Sequence, residues 1–249
     1  MSVTNILSKL KEINNSNLIS VFVPSAKKEI SFKPLSAKQQ KDLIKTGLDG
    51  NLSGVTLSNT INQIILDNST EKHQFLVTDR YPIIISLRKQ AFGSQFVLKD
   101  EDKKTIFDID VILNKELKYS LDDKMTIALE GTSLTADLDV VTLEDDIKIN
   151  NFQIDKLKKN KEDENIGDTV GSLFIYEILK FVTKVKVNSD EIDMKSIPIK
   201  DRMVIIENIP VTLNNIILEY IQIFRKEETE YVTIDGNIVP LDARFFSKE

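Results

Sequence analysis

The chain contains no cysteine and no tryptophan, and only one of its 249 residues is a histidine, His73. Without cysteine, disulfides, thiolate metal centres and cysteine nucleophiles are excluded. A single histidine excludes a His-pair metal centre and leaves little for a catalytic triad. Glycine is scarce, at eight residues, and none falls in a dinucleotide-binding or Walker fingerprint. No Gly-x-Ser-x-Gly elbow occurs either. No apolar run approaches the roughly 18 residues needed to span a bilayer, and MSVTNILSKLKEI reads as an amphipathic helix, not a signal peptide. The expectation is a soluble intracellular protein with no membrane partner. A net charge of -6 argues against nucleic acid as a partner, since that recognition leans on the phosphate field. With 41% apolar and 29% charged residues, the chain has ordinary globular composition.

Arginine is sparse too, and its placement is informative. Only five of the 33 basic residues are Arg, at positions 80, 88, 202, 225 and 244. Two of them fall in Thr78–Gly93, TDRYPIIISLRKQAFG, a stretch with a complete helix signature. Asp79 can cap its first-turn amides, Pro82 sits where a missing N–H costs little, and Gly93 can end it in a left-handed conformation. Tyr81, Ile84, Ile85, Arg88 and Phe92 share one face at helical spacing, so Arg88 lies within an apolar stripe. A charge there needs a partner, expected to be an acid inside the fold. The alternative has Arg80 or Arg88 facing a protein partner, where arginine is a favoured anchor. Asp-Arg before an apolar run recurs at Asp201 and Arg202. Phe245 and Phe246, near the end, either pack back onto the core or anchor in a neighbour.

Around this helix the pattern alternates between periods. Val3, Ile6, Leu7, Leu10 and Ile13 predict an opening helix, and LISVFVPSAKKEISFKPL a hairpin about a Pro-Ser turn. Ser36 with Gln39 forms a capping-box pattern at the start of a helix carrying Leu43 and Ile44, with Gly47 or Gly50 as its stop. Leu57, Ile61, Ile64 and Ile65 predict another.

From about Gln95 to Asn165 the period drops to two. Phe107, Ile109, Val111 and Leu113 alternate with Asp108 and Asp110, and Leu134, Ala136, Leu138 and Val140 with Thr135, Asp137 and Asp139. MTIALEG reads as a strand between them, and KLKKNKEDEN as a mobile mixed-charge loop.

In the last third Val170, Phe174, Ile178 and Phe181 line one expected helix, with Asp168 as its cap, Ile199, Met203 and Ile206 mark a second, and Leu213, Ile216, Ile217, Tyr220 and Phe224 a third. A hairpin about Asp235-Gly236 closes the chain. The fold class expected is α+β: N- and C-terminal helical segments forming one core, with a small antiparallel β insertion. The segments are 1–94, 95–165 and 166–249, the last packing with the first.

Asp108/Asp110 and Asp137/Asp139 are the one arrangement that suggests a metal-dependent enzyme, since period-two spacing sets each pair on one face. The solvent-exposed side of a sheet accounts for them more simply, and no general base or phosphate loop lies nearby in sequence. His73 reads as a surface residue of a polar loop.

Three segments carry a resemblance. TDRYPIIISLRKQAFG, the opening VFVPSAKKEISFKPLSAKQQKDLIK, and the closing IIENIPVTLNNIILEYI with EYVTIDGNIVPLDARFF are similar to the baseplate hub proteins of T4-like bacteriophages, hub subunits and hub-assembly factors alike. The likeness covers roughly the first 95 and last 70 residues. It implies a non-enzymatic structural or assembly component of a contractile-tail baseplate, working by protein–protein contacts with other hub or tail proteins. It implies no cofactor, metal or small-molecule substrate. The place implied is the host cytoplasm during assembly, with the finished virion as an alternative. Some members of that family carry paired cysteines centrally, suggesting a bound metal; this chain has none, so the resemblance carries over no zinc. Asp79, Arg80, Arg88, Phe92, Arg202, Phe245 and Phe246 are the residues expected to organise the fold or meet partners. A generic intracellular adaptor domain is the remaining alternative.

Overall fold

In the computed structural model, residues 3–48, 53–100, 103–116, 125–160 and 166–247 are described. The first half runs α1 (Val3–Ser16), β1 (Ile19–Val23), β2 (Lys28–Phe32), α2 (Ala37–Gly47), α3 (Ser53–Asn68), α4 (Arg80–Phe92), β3 (Gln95–Asp100), β4 (Lys103–Asp108) and α5 (Asp110–Leu113). The second runs β5 (Met125–Ala128), β6 (Leu134–Leu138), α6 (Leu143–Asn160), α7 (Ile166–Phe181), β7 (Val182–Val187), β8 (Asp190–Asp193), α8 (Ile199–Asn208), α9 (Val211–Tyr231), β9 (Thr233–Ile234) and β10 (Asn237–Ile238). The fold is α+β with small antiparallel sheets.

Two compact units divide the chain: residues 1–117 with 230–249, and residues 118–229. This partition differs from the expected 1–94, 95–165 and 166–249. The hairpin after residue 94 joins the first unit, where Phe96 and Phe107 stack on each other and Phe245 meets Phe96 edge-on. Helices α6 to α8 and nearly all of α9 join the sheet unit. A change of period marks where elements begin, but not which apolar faces meet.

In the first unit the hairpin β1–β2 turns through Pro24–Ala26 and pairs Val21 with Ile30. Alternation buries Val21, Val23, Ile30 and Phe32 on one side. The capping box forms: Ser36 Oγ accepts from the Gln39 amide at 3.2 Å while the Ser36 amide donates to Gln39 Oε1 at 2.9 Å. In α3, Leu57, Ile61, Ile64 and Ile65 are all buried. Helix α4 lies against β1 and α3 and buries Pro82, Ile83, Ile84, Ile85, Leu87 and Arg88, most of its circumference rather than one stripe. Asp235 and Gly236 both take positive φ between β9 and β10, as a tight hairpin turn requires.

In the second unit β5, β6, β7 and β8 form one antiparallel sheet in that order. Ala136 and Leu138 are buried in it, matching the alternation read from the sequence. Helices α7 and α9 contribute Ile178, Phe181, Leu213, Ile217 and Phe224 to the core.

Four expectations are corrected. The strand through Phe107 stops at Asp108, whose Oδ1 accepts from the Asp110 amide at 3.1 Å. That local bond competes with the sheet ladder and starts the helical turn α5. Residues 143–160, expected to be strand and loop, are helix α6. Thr142 Oγ1 caps it by accepting from the Asp145 amide at 3.2 Å, and Glu144, Asp145 and Asp146 complement its positive end. Asp168 lies inside α7, which begins at Ile166, so it is not the cap. Phe174 of that helix faces outward while Ile175 and Leu179 face in. Gly50 and the stretch 161–165 of the expected mobile loop lie outside the described residues.

No single described helix is long and apolar enough to cross a membrane.

Candidate functional site

Arg88 is buried, and its partners are carbonyls, not the acid expected. Nε donates to Phe245 O at 3.2 Å, Nη1 to Gly93 O, and Nη2 to Gln95 O at 2.9 Å. The guanidinium lies 5.2 Å from the Phe245 ring centroid and 5.7 Å from those of Phe92 and Phe96. Arginine fits because its planar fork reaches several acceptors at once while its faces stack on rings. Burial lowers its pKa from the ordinary value, but an arginine stays charged regardless. Gly93 supplies one carbonyl from φ +87 and ψ 177, a glycine region that is not the expected left-handed helical stop.

Phe245 and Phe246 are fully buried in the 3-10 turn Ala243–Phe246, so they pack into their own unit. The turn seats against α2: Gln40 Nε2 donates to Phe246 O at 3.1 Å, and a Cβ at Gly47 would stand 2.7 Å from the Ala243 amide nitrogen. Gly47 is therefore present for close approach rather than to reverse the chain.

Asp79 does not cap α4. Its carboxylate accepts from the Ser25 amide at 2.9 Å, Ser25 Oγ at 2.5 Å and the Leu76 amide at 2.8 Å. Asp79 is wholly buried. Burial pushes its pKa up, while the bonds from Ser25 and Leu76 and the neighbouring His73 pull it back. His73 Nε2 lies 2.8 Å from Ser25 Oγ and its ring meets Phe75 edge-on, so it is half-buried structure, not a surface residue. Nothing in the sequence pattern signals that Ser25, His73 and Asp79 converge, since 48 and 54 positions separate the serine from the other two. The order of bonds differs from that of a triad. The serine donates its proton to the carboxylate and stands between the two groups, so the imidazole is placed as a donor to Oγ rather than as a base oriented by the aspartate.

Arg80 Nε donates to Asn62 Oδ1 at 2.8 Å, joining α4 to the buried polar side of α3. In the second unit Arg202 repeats the pattern of Arg88. It is buried and donates to Ile197 O at 2.9 Å and Lys195 O at 3.2 Å, tying the start of α8 to the preceding turn. Arg225, which the sequence did not single out, bridges Glu177 at 2.6 Å and Glu228 at 2.7 Å. Lys180 lies 3.3 Å from Glu177 and 3.2 Å from the buried Asp146, completing a chain of charges across α6, α7 and α9. Burial would raise the Glu177 pKa, but Lys180 and Arg225 outweigh it and hold the carboxyl below its usual 4.5. Only the i,i+3 spacing of Glu177 with Lys180 and of Arg225 with Glu228 was available as a signal.

The acidic pairs proposed for a metal are pulled apart locally. Asp110 is on α5 and pairs with Lys89 of α4 at 2.6 Å, and Asp108 is tied to the Asp110 amide. Asp137 accepts from Thr126 at 2.8 Å across the sheet, and Asp139 accepts from the Val140 amide at 2.8 Å. Among the described residues no group of three or more His, Asp and Glu side chains is placed to hold a metal ion.

Two of the open surfaces among the described residues of the first unit carry apolar side chains. A cleft of about 450 Å³ lies between β1, α4 and α5, lined by Ser20, Phe22, Pro82, Ser86, Lys115 and Tyr231. Burial pushes the Tyr231 phenol up to about 12, and Lys115 is already bound to the carbonyls of Glu230, Tyr231 and Thr233 at the end of α9. The other surface is the apolar stripe of α1, exposed along its whole length. No protein-family model, curated protein or solved structure matches this chain.

Proposed function

We propose that this chain is a non-enzymatic component of the central hub of a contractile phage tail baseplate, a subunit or an assembly factor, working through protein–protein contacts. The three resembling segments supply the family. The observation that carries the contact reading is the exposed stripe Val3, Ile6, Leu7, Leu10 and Ile13, an apolar helix face turned outward where a monomer would cover it. The residues first suspected of meeting partners, Arg88, Phe245 and Phe246, are engaged inside the fold, where they fix the unit that carries the stripe. The chain would act in the host cytoplasm while the hub is built.

Mass spectrometry of hub intermediates isolated during infection tests this. The chain is expected in them, and its absence from every tail intermediate would overturn the reading. Its presence or absence in finished virions then separates subunit from assembly factor.

A further inference from the structure

Within the chain, the hairpin β1–β2 is covered on only one of its two outer edges. Beyond β2, Ser31 O accepts from the Thr70 amide at 3.0 Å and the Lys33 amide donates to Asn68 O at 2.8 Å. Ser31 and Lys33 thus turn their main-chain groups away from β1, and antiparallel alternation fixes the rest. Ile19, Val21 and Val23 bond to β2, while Ser20, opposite Ser31, and Phe22, opposite Glu29, direct N–H and C=O outward. No described residue bonds to those outward groups, and no described strand but β2 pairs with β1. Native edges are commonly blunted by charge, proline or a bulge. β1, ISVFV, carries no charge and no proline, and its register with β2 is unbroken.

The cleft of about 450 Å³ opens beside this edge, and Val21, Pro82, Leu113 and Tyr231 are among its lining residues. Extended backbone is the matching occupant, because it repeats a donor and an acceptor at the two-residue pitch of Ser20 and Phe22. In an added strand the residues opposite Ser20 and Phe22 make the bonds. The residue between them turns its side chain to the Val21 side, into the cleft, where an apolar group fits. A second copy does not serve, because the Val21 and Val23 side chains of its own β1 are buried in its own core.

We infer that the free edge of β1 is a docking site for an extended segment of a partner protein, added antiparallel as a third strand with apolar residues at alternate positions. The inference goes beyond the hub proposal and does not depend on it, since it stands on the hairpin and not on α1 or the resembling segments. Amide exchange followed by NMR on the full chain tests the edge: Ser20 and Phe22 are expected to exchange freely while Val21 and Val23 are protected. Protection of Ser20 and Phe22 in the free chain overturns the inference, whether the chain itself or a second copy provides it. Docking is tested with the peptide acetyl-Lys-Thr-Val-Thr-Val-Thr-Lys-amide as probe. Its binding should slow exchange at Ser20 and Phe22, and unchanged exchange there at about 1 mM peptide overturns the inference. N-methylation of the central threonine, whose amide faces β1, should weaken binding at least about tenfold, and N-methylation of a valine, whose amide faces water, less than about threefold. Equal losses contradict strand addition. Ser20→Pro removes one outward donor and no β1–β2 bond, and Ser86→Leu fills the cleft from α4. Both are expected to weaken binding of the probe. Either variant, folded by circular dichroism yet binding as tightly as the wild type, overturns the inference and leaves the hub proposal standing.

Discussion

Arg88 holds backbone from two directions, Gly93 and Gln95 just beyond its own helix and Phe245 from 157 positions away. Lysine offers a point charge that cannot reach these acceptors together or stack on the three rings. Arg88→Lys is therefore expected to cost about 2 kcal/mol, and Arg88→Ala about 3–4 kcal/mol because buried carbonyls lose their donors. Urea unfolding of the two variants checks both size and order. The sequence did reveal that a charge lay in an apolar stripe and required a partner. It did not reveal the partner's kind, because a carbonyl is present at every residue and leaves no mark in the sequence. Asp79 illustrates the same limit. It sits where a cap belongs, yet its acceptors serve Ser25 and Leu76, and only the folded hairpin brings Ser25 there.

Elements were legible where their buried face is apolar. Helices α3, α4 and α9 and the hairpins could be read because burial and hydrophobicity coincide in them. Helix α6 escaped because its buried face is half polar: Asp146, Asn150 and Gln153 alternate with Leu143, Ile149 and Ile154. The seat of the C-terminal turn on α2 supplies a paired prediction. Gly47→Ala places a methyl 2.7 Å from backbone at Ala243 and is expected to destabilise by about 1–3 kcal/mol. Gly54→Ala, with nothing within 4 Å in α3, should be neutral or stabilising by up to about 1 kcal/mol. Thermal unfolding of both variants, measured side by side, separates close packing from helix propensity. Equal effects at the two sites would remove the case for close approach.

At the scale of the whole molecule, the two units differ in how they are held together. The first closes on aromatic rings around Arg88, and the second carries the charge chain Asp146, Lys180, Glu177, Arg225 and Glu228. Because the folded Glu177 pKa lies below its ordinary 4.5, its contribution is fully present above that value. It is lost as pH falls through the lower, folded value. Glu177→Gln should therefore flatten the acid limb of the stability–pH curve and leave its shape near pH 7 unchanged, as denaturant titrations across pH would record. The partition into units was the least legible feature, since it depends on which apolar faces meet and not on where they begin. The proposed role is played in the particle rather than within the fold. Electron microscopy of lysates from a phage whose copy of this chain is deleted tests it most directly. Heads and incomplete tail parts without assembled baseplates are predicted, with baseplates restored when the chain is supplied in trans. Normal baseplates in the absence of the chain would contradict the account.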